Sequence, residues 1–204
     1  MKNIVSMTLK LLIITIVAAA ALGAVNYITE GPIAEQLAAQ AQEARQTAFP
    51  QADSFKALYD PDTMPDNTLA SLLGQNEVPE DYGIIRTVYT ALDADGNEIG
   101  IAAGVVTKGF NSGLNLTIGI ASDGTIQGVI MGDNTETAGL GSKAKDPEFQ
   151  QQYIGKTSPL GVVKASPGDS DIQAITGATI TTRGITDAVN TVSEFYAVLA
   201  GGAQ

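Results

Sequence analysis

The chain contains no cysteine and no histidine. Without cysteine there is no thiolate nucleophile, no disulfide, no cysteine-ligated iron–sulfur cluster and no zinc–thiolate site. Without histidine there is no Ser-His-Asp triad, no histidine-ligated haem and no 2-His-1-carboxylate iron centre. Any redox chemistry therefore rests on an organic cofactor or on a partner. Positive charge is also scarce: 11 Lys and Arg stand against 22 Asp and Glu, for a formal net charge of −11. This argues against nucleic acid as a partner, because phosphate binding needs a basic footprint.

What is present is unevenly placed. From Leu11 to Thr29 there are 19 residues without a charge, built largely from Leu, Ile, Val and Ala. At about 1.5 Å per residue, roughly 20 apolar residues cross the hydrocarbon core of a bilayer. Lys2 and Lys10 precede the run, and Glu30 and Glu35 follow it. The positive-inside rule then puts the N-terminus in the cytoplasm and the rest outside. A cleaved signal peptide competes, with Ala21-Leu22-Gly23-Ala24 as its cleavage site, but the length of the run favours a retained single-pass anchor. Either way residues 30–204 are exported, and they hold 9 basic and all 22 acidic residues.

After the anchor, Gly31-Pro32 starts a linking helix rich in Ala, Gln and Glu, which Phe49-Pro50 ends. The expected organisation is residues 1–30 as cytoplasmic N-terminus and transmembrane helix, 31–50 as linking helix and 51–204 as one domain. Within that domain Ile84 to Leu92 and Ile99 to Thr107 read as strands around an Asp-Ala-Asp-Gly-Asn turn. That turn has its glycine fourth, not sixth as a calcium-binding EF-hand loop requires. Leu114 to Ala121 and Thr125 to Met131 form a second hairpin, in which Leu114, Leu116, Ile118 and Ile120 alternate with small or polar residues. Four strands in sequence predict a twisted, mainly antiparallel sheet. Thr68 to Leu73 reads as a turn of helix, Phe149 to Tyr153 as a short helix, and Lys156 to Asp171 as a polar loop. A closing helix runs from about Thr182 to Leu199, with Ile185, Val189, Val192 and Tyr196 on one apolar face. The fold class is thus α+β, with helices flanking the sheet.

Composition does not account for two segments. Asn134-Thr135-Glu136-Thr137-Ala138-Gly139-Leu140-Gly141-Ser142-Lys143 carries one acid among hydroxyls and two glycines, which let a backbone approach a ligand closely. Ala174-Ile175-Thr176-Gly177-Ala178-Thr179-Ile180-Thr181-Thr182-Arg183 sets four threonines directly before a helix. Helix N-termini bind anions through free N–H groups and the positive end of the dipole. The hydroxyls add donors and Arg183 adds a fixed positive charge. An N-cap needs only one threonine, so capping leaves Thr176-Gly177-Ala178-Thr179 unexplained.

Together, in this order, these motifs resemble the RnfG/NqrC family of FMN-binding domains, found in ion-pumping Rnf and Na⁺-NQR respiratory complexes. That family has a [Ser/Thr]-Gly-Ala-Thr motif, matched by Thr176-Gly177-Ala178-Thr179, and a Glu-Thr-Pro-Gly-Leu-Gly loop. Glu136-Thr137-Ala138-Gly139-Leu140-Gly141 matches the loop at every position but Ala138, which replaces proline. Asn134 stands where histidine is common in the family, and Gln173 where its attachment signature has aspartate. The resemblance covers nearly the whole chain, and the chain's length fits RnfG better than NqrC.

The resemblance implies an α+β extracytoplasmic domain with FMN joined by a phosphoester to Thr179. It implies cofactor contacts from Glu136, Thr137, Gly139, Leu140, Gly141, Lys156, Thr176, Gly177, Ala178 and Thr181, and neither catalytic residues nor a metal. It also implies an electron-carrier subunit in a membrane complex coupling ferredoxin–NAD electron transfer to Na⁺ or H⁺ translocation. The implied partners are other Rnf-type membrane subunits, including a second flavin subunit and iron–sulfur subunits, a flavin transferase for maturation, and the lipid bilayer. The alternatives are an exported FMN protein serving other extracytoplasmic electron transfer, or a non-redox membrane-anchored binding domain.

Overall fold

A computed structural model describes residues 2–75 and 77–202. Helix α1, Lys2–Ala48, is continuous over 47 residues and contains Pro32. Its apolar side chains from Leu11 to Val25 are exposed, and by length and composition it can cross a membrane. Within it the hydroxyls of Thr8, Thr15 and Thr29 donate to carbonyls three or four residues back, at 2.9 Å each. Such bonds satisfy polar groups that lipid would leave unpaired. The helix runs unbroken through Gly31-Pro32, where the linking segment was expected to begin. Proline removes one intrahelical bond, but strong helix formers on its C-terminal side carry the helix on.

Residues 1–43 form one unit and residues 44–204 the other, so the last turn of α1 belongs to the second unit. Five strands follow one another as an antiparallel meander: β1 Ser54–Tyr59, β2 Ile85–Leu92, β3 Glu98–Lys108, β4 Ser112–Ala121 and β5 Ile126–Met131. The four expected strands are present within two residues of their expected ends. The edge strand β1, Ser-Phe-Lys-Ala-Leu-Tyr, has no clean alternation and was not expected. In the β2–β3 turn, Asp93 accepts N–H groups of Asp95 and Asn97 at 3.0 and 2.8 Å. These bonds, with the Asn97 side-chain amide foremost, hold the Asp93 carboxyl below its ordinary value.

Helix α2, Leu69–Leu72, is one turn with a capping box between Thr68 and Ser71. Helix α3, Pro147–Gln150, opens on its proline. A short parallel pair joins β6 Gly161–Val163, inside the segment read as loop, to β7 Asp171–Gln173, which starts at that segment's last residue. Helix α4, Thr179–Gly202, begins three residues earlier than expected.

Alternation fixes the two faces of the sheet. Leu114, Leu116, Ile118 and Ile120 all point into one core, where they meet Ile185, Val189, Val192 and Phe195 of α4. Tyr196, expected on this face, is only partly buried at its border. Phe195 takes the central place, edge-on to Tyr82 at 5.5 Å between ring centroids. The opposite face is lined with small residues. A Cβ on Gly119 would lie 2.3 Å from the Ala48 carbonyl oxygen, and one on Gly128 2.8 Å from it. Side chains at these positions would shut out the end of α1. Instead Phe49, 1% exposed, packs there with Ala52 and Ala91. Arg45, on the same last turn, stacks 4.1 Å over the Tyr89 ring, whose hydroxyl donates to Asp60.

Candidate functional site

The two unexplained segments meet at the end of the sheet where β3 turns into β4. A cavity of about 570 Å³ opens there, in the range of small-molecule sites. Its wall includes Glu136, Thr137, Leu140 and Gly141 from the first segment, and Thr176, Gly177, Ala178, Thr179 and Thr181 from the second. Phe110, Lys164, Ala174, Ile175 and Ile180 complete it. Phe110 and Ile180 are 68% and 57% exposed, so the rim is apolar.

The second segment is shaped by its own hydrogen bonds. Ile175 N donates to Thr182 Oγ1 at 3.1 Å, and that hydroxyl donates to the Ala178 carbonyl at 3.1 Å. Gly177 sits at φ +80°, a conformation costly for any residue with a Cβ. The Ala178 carbonyl accepts from Thr182 N at 3.0 Å, the first helical bond of α4. The N–H groups of Thr179, Ile180 and Thr181 precede it and have no intrahelical acceptor, so the cavity holds a helix N-terminus. Thr176 is exposed and Thr179 half-buried.

Glu136 joins three pieces of chain. One carboxylate oxygen accepts the Asn111 backbone N–H at 3.0 Å, and the other accepts the buried Thr181 hydroxyl at 2.8 Å. Asn111 Nδ2 also donates to the Thr135 carbonyl at 2.7 Å. The β3–β4 joint, the 134–143 loop and the first turn of α4 are thereby tied together. A Cβ at Gly141 would lie 2.0 Å from a Glu136 oxygen and 2.9 Å from the Thr181 hydroxyl, so a side chain there would displace the Glu136 carboxylate from this junction.

Two of the expected contact residues lie off the wall. Gly139, at φ +76°, turns the loop, and its N–H donates to Ser142 Oγ at 2.9 Å. Lys156 is held beside the start of β5, where its carbonyl accepts from Ile126 N at 2.8 Å. Its ammonium donates to the carbonyls of Gly168, Asp169 and Asp171 at 3.2, 2.8 and 2.8 Å. Arg183 is exposed and also off the wall. Sequence reasoning missed Phe110 and Lys164. Phe110 lay in a glycine-rich joint that reads as a wide turn, and Lys164 in a stretch that reads as loop.

The comparisons with known proteins agree with this geometry. The family pattern described as FMN-binding domain matches residues 109–194, which contain the cavity wall from Phe110 to Thr181. The fold is that of NqrC from Shewanella oneidensis, whose crystal structure aligns with a TM-score of 0.58 at 19% identity over 79% of this chain and 97% of that one. Fold and site define an FMN-binding domain carried on an apolar N-terminal helix. The G component of the Na(+)-translocating ferredoxin:NAD(+) oxidoreductase complex of Acetobacterium woodii is 34% identical over 96% of this chain and 92% of its own length. The G component of the ion-translocating oxidoreductase complex of Methanosarcina acetivorans is 27% identical over 98% of each chain. The chain belongs to this RnfG family of complex components.

Proposed function

We propose that this chain is the membrane-anchored electron carrier of an ion-translocating ferredoxin:NAD oxidoreductase complex, with FMN joined through its phosphate to Thr179. The observation that carries the proposal is the convergence of the 136–141 loop and the 176–179 turn on one cavity. The residues present fit the cofactor. A wall of Leu140, Ile175, Ile180 and Phe110 suits a planar apolar ring. The start of α4, with the hydroxyls of Thr176 and Thr179, suits a phosphate. Neither hydroxyl has a hydrogen-bond partner among the described residues, whereas those of Thr181 and Thr182 are committed. When bound, FMN supplies one- and two-electron transfer, chemistry that a chain without cysteine or histidine does not provide itself.

The chain contributes the nucleophile and the cradle. A flavin transferase supplies FAD as donor, and Thr179 Oγ1 forms the new bond to the phosphorus of its FMN half. The bond from that phosphorus to the AMP half breaks, the hydroxyl proton passes to a base on the transferase, and AMP leaves. Glu136 holds the wall in place through Asn111 and Thr181. The domain stands on the extracytoplasmic side, with the N-terminus in the cytoplasm, following the lysines that precede the span.

The test uses Thr179→Val expressed with the transferase. On a denaturing gel the wild-type band fluoresces and the variant band is dark; a variant band of wild-type intensity sinks the assignment. Co-purification with the other membrane subunits tests the complex: recovery of the chain alone from gently solubilised membranes refutes it.

A further inference from the structure

We propose that Lys164, and neither Arg183 nor Lys156, is the cation that pairs with the phosphate of the flavin nucleotide. The inference rests on the FMN reading above and assigns its anion-binding charge. Among the described residues, Lys164 is the cationic side chain on the cavity wall. The one carboxylate on that wall, Glu136, accepts protein donors at both oxygens, so a protein partner for each is already present. Lys164 has no ion pair and no hydrogen bond from its ammonium among the described residues. Lys145 and Lys156, by contrast, are engaged with Asp133 and with three carbonyls. The wall therefore carries an uncommitted positive charge as well as uncommitted Thr176 and Thr179 hydroxyls.

The parallel β6–β7 pair explains its position. Val163 is in register with Gln173, and Ala174 N donates to the Val163 carbonyl at 2.7 Å. Lys164 therefore leaves β6 alongside Ala174 and Ile175, the residues that lead directly into Thr176-Gly177-Ala178-Thr179. The Lys156 ammonium gathers the carbonyls at the far end of the same return loop, and Gly168 N donates to Asp171 Oδ2 at 3.0 Å. Lys156 thus acts at a distance, as a staple on the segment that presents Lys164.

The test compares FMN with riboflavin, which differ only in the phosphate. The probes are titrated into full-length, detergent-solubilised protein made without the transferase, as wild type, Lys164→Gln, Lys164→Arg and Arg183→Gln. Wild type is expected to prefer FMN. Lys164→Gln is expected to narrow that preference about three- to tenfold, the range for a charge-assisted contact at a half-open site. Raising the salt should narrow the wild-type preference in the same direction. Lys164→Arg and Arg183→Gln should keep it. If wild type prefers FMN and Lys164→Gln leaves the ratio unchanged, the Lys164 assignment is overturned and the FMN reading stands. If wild type binds neither flavin and gains no mass when expressed with the transferase, both are overturned.

Discussion

Gly184 separates the local preference of a helix from the demands of packing. It lies inside α4, one turn past Ile180, where α4 crosses β3. By helix propensity alone, Gly184→Ala stabilises the protein by up to about 1 kcal/mol. A Cβ at this position would lie 2.0 Å from the Lys108 carbonyl oxygen and 3.1 Å from its carbon, where ordinary contact begins at 3.4 Å. The obstacle is backbone on both sides, so no side chain can swing away, and helix and strand must part by more than about 1 Å. Overpacking of this kind costs about 1–3 kcal/mol. With an unyielding neighbour, the upper end less the propensity gain leaves a net loss of about 2 kcal/mol. For a domain of this size that lowers Tm by about 4–8 °C. Because the contact binds the first turns of α4 to the strand that leads into Phe110, the fraction of chains carrying flavin by intact mass should fall too. Calorimetry of the full chain in detergent reads the first effect. Gly201→Ala, with nothing within 4 Å, is the matched control and should be close to neutral. A Gly184→Ala protein that melts at or above wild type refutes the argument from close approach.

Phe49→Ala empties the seat on the outer face of the sheet and should cost about 3–5 kcal/mol, read as a large fall in Tm by the same calorimetry. Lys156→Met breaks three bonds from an ammonium to carbonyls and should cost about 1–2 kcal/mol, with lowered flavin loading; unchanged loading and stability would refute the staple. Burial pushes the Tyr153 hydroxyl far above its ordinary value of 10, against a hydrogen bond shared with Thr186 Oγ1 at 2.9 Å. The unfolded chain loses this proton near pH 10 while the folded chain keeps it. Stability is therefore intact below that pH and falls as pH rises above it. Tyr153→Phe should flatten the alkaline limb of a stability–pH curve, and an unchanged limb would count against this.

The sequence determined by itself whatever depends on local composition and period. The uncharged run from Leu11 to Thr29 reads as a membrane-spanning segment whatever surrounds it. The alternation from Leu114 to Ile120 is strong enough to fix both a strand and the face it buries. The glycines and threonines at 136–141 and 176–179 singled out two segments that line one cavity, because their chemistry is unusual for plain loops. Elements too short for a period were not legible: β1, with its irregular pattern, and the three-residue strands β6 and β7, which exist only through their pairing. Long-range placement was not legible either. Arg183 is next to the threonine cluster in sequence, but the turn of α4 carries it away from the cavity. Lys164 is twelve residues before Thr176, yet the parallel pairing of β6 with β7 returns it to the wall. Glu136 could be singled out from its motif, but its role as a joint between the β3–β4 turn and α4 required Asn111 and Thr181 to be brought within hydrogen-bonding distance. The side-chain types needed at the site were local information. Which charge lines the cavity, and which only holds the frame, was decided by chain reversals that bring distant segments together.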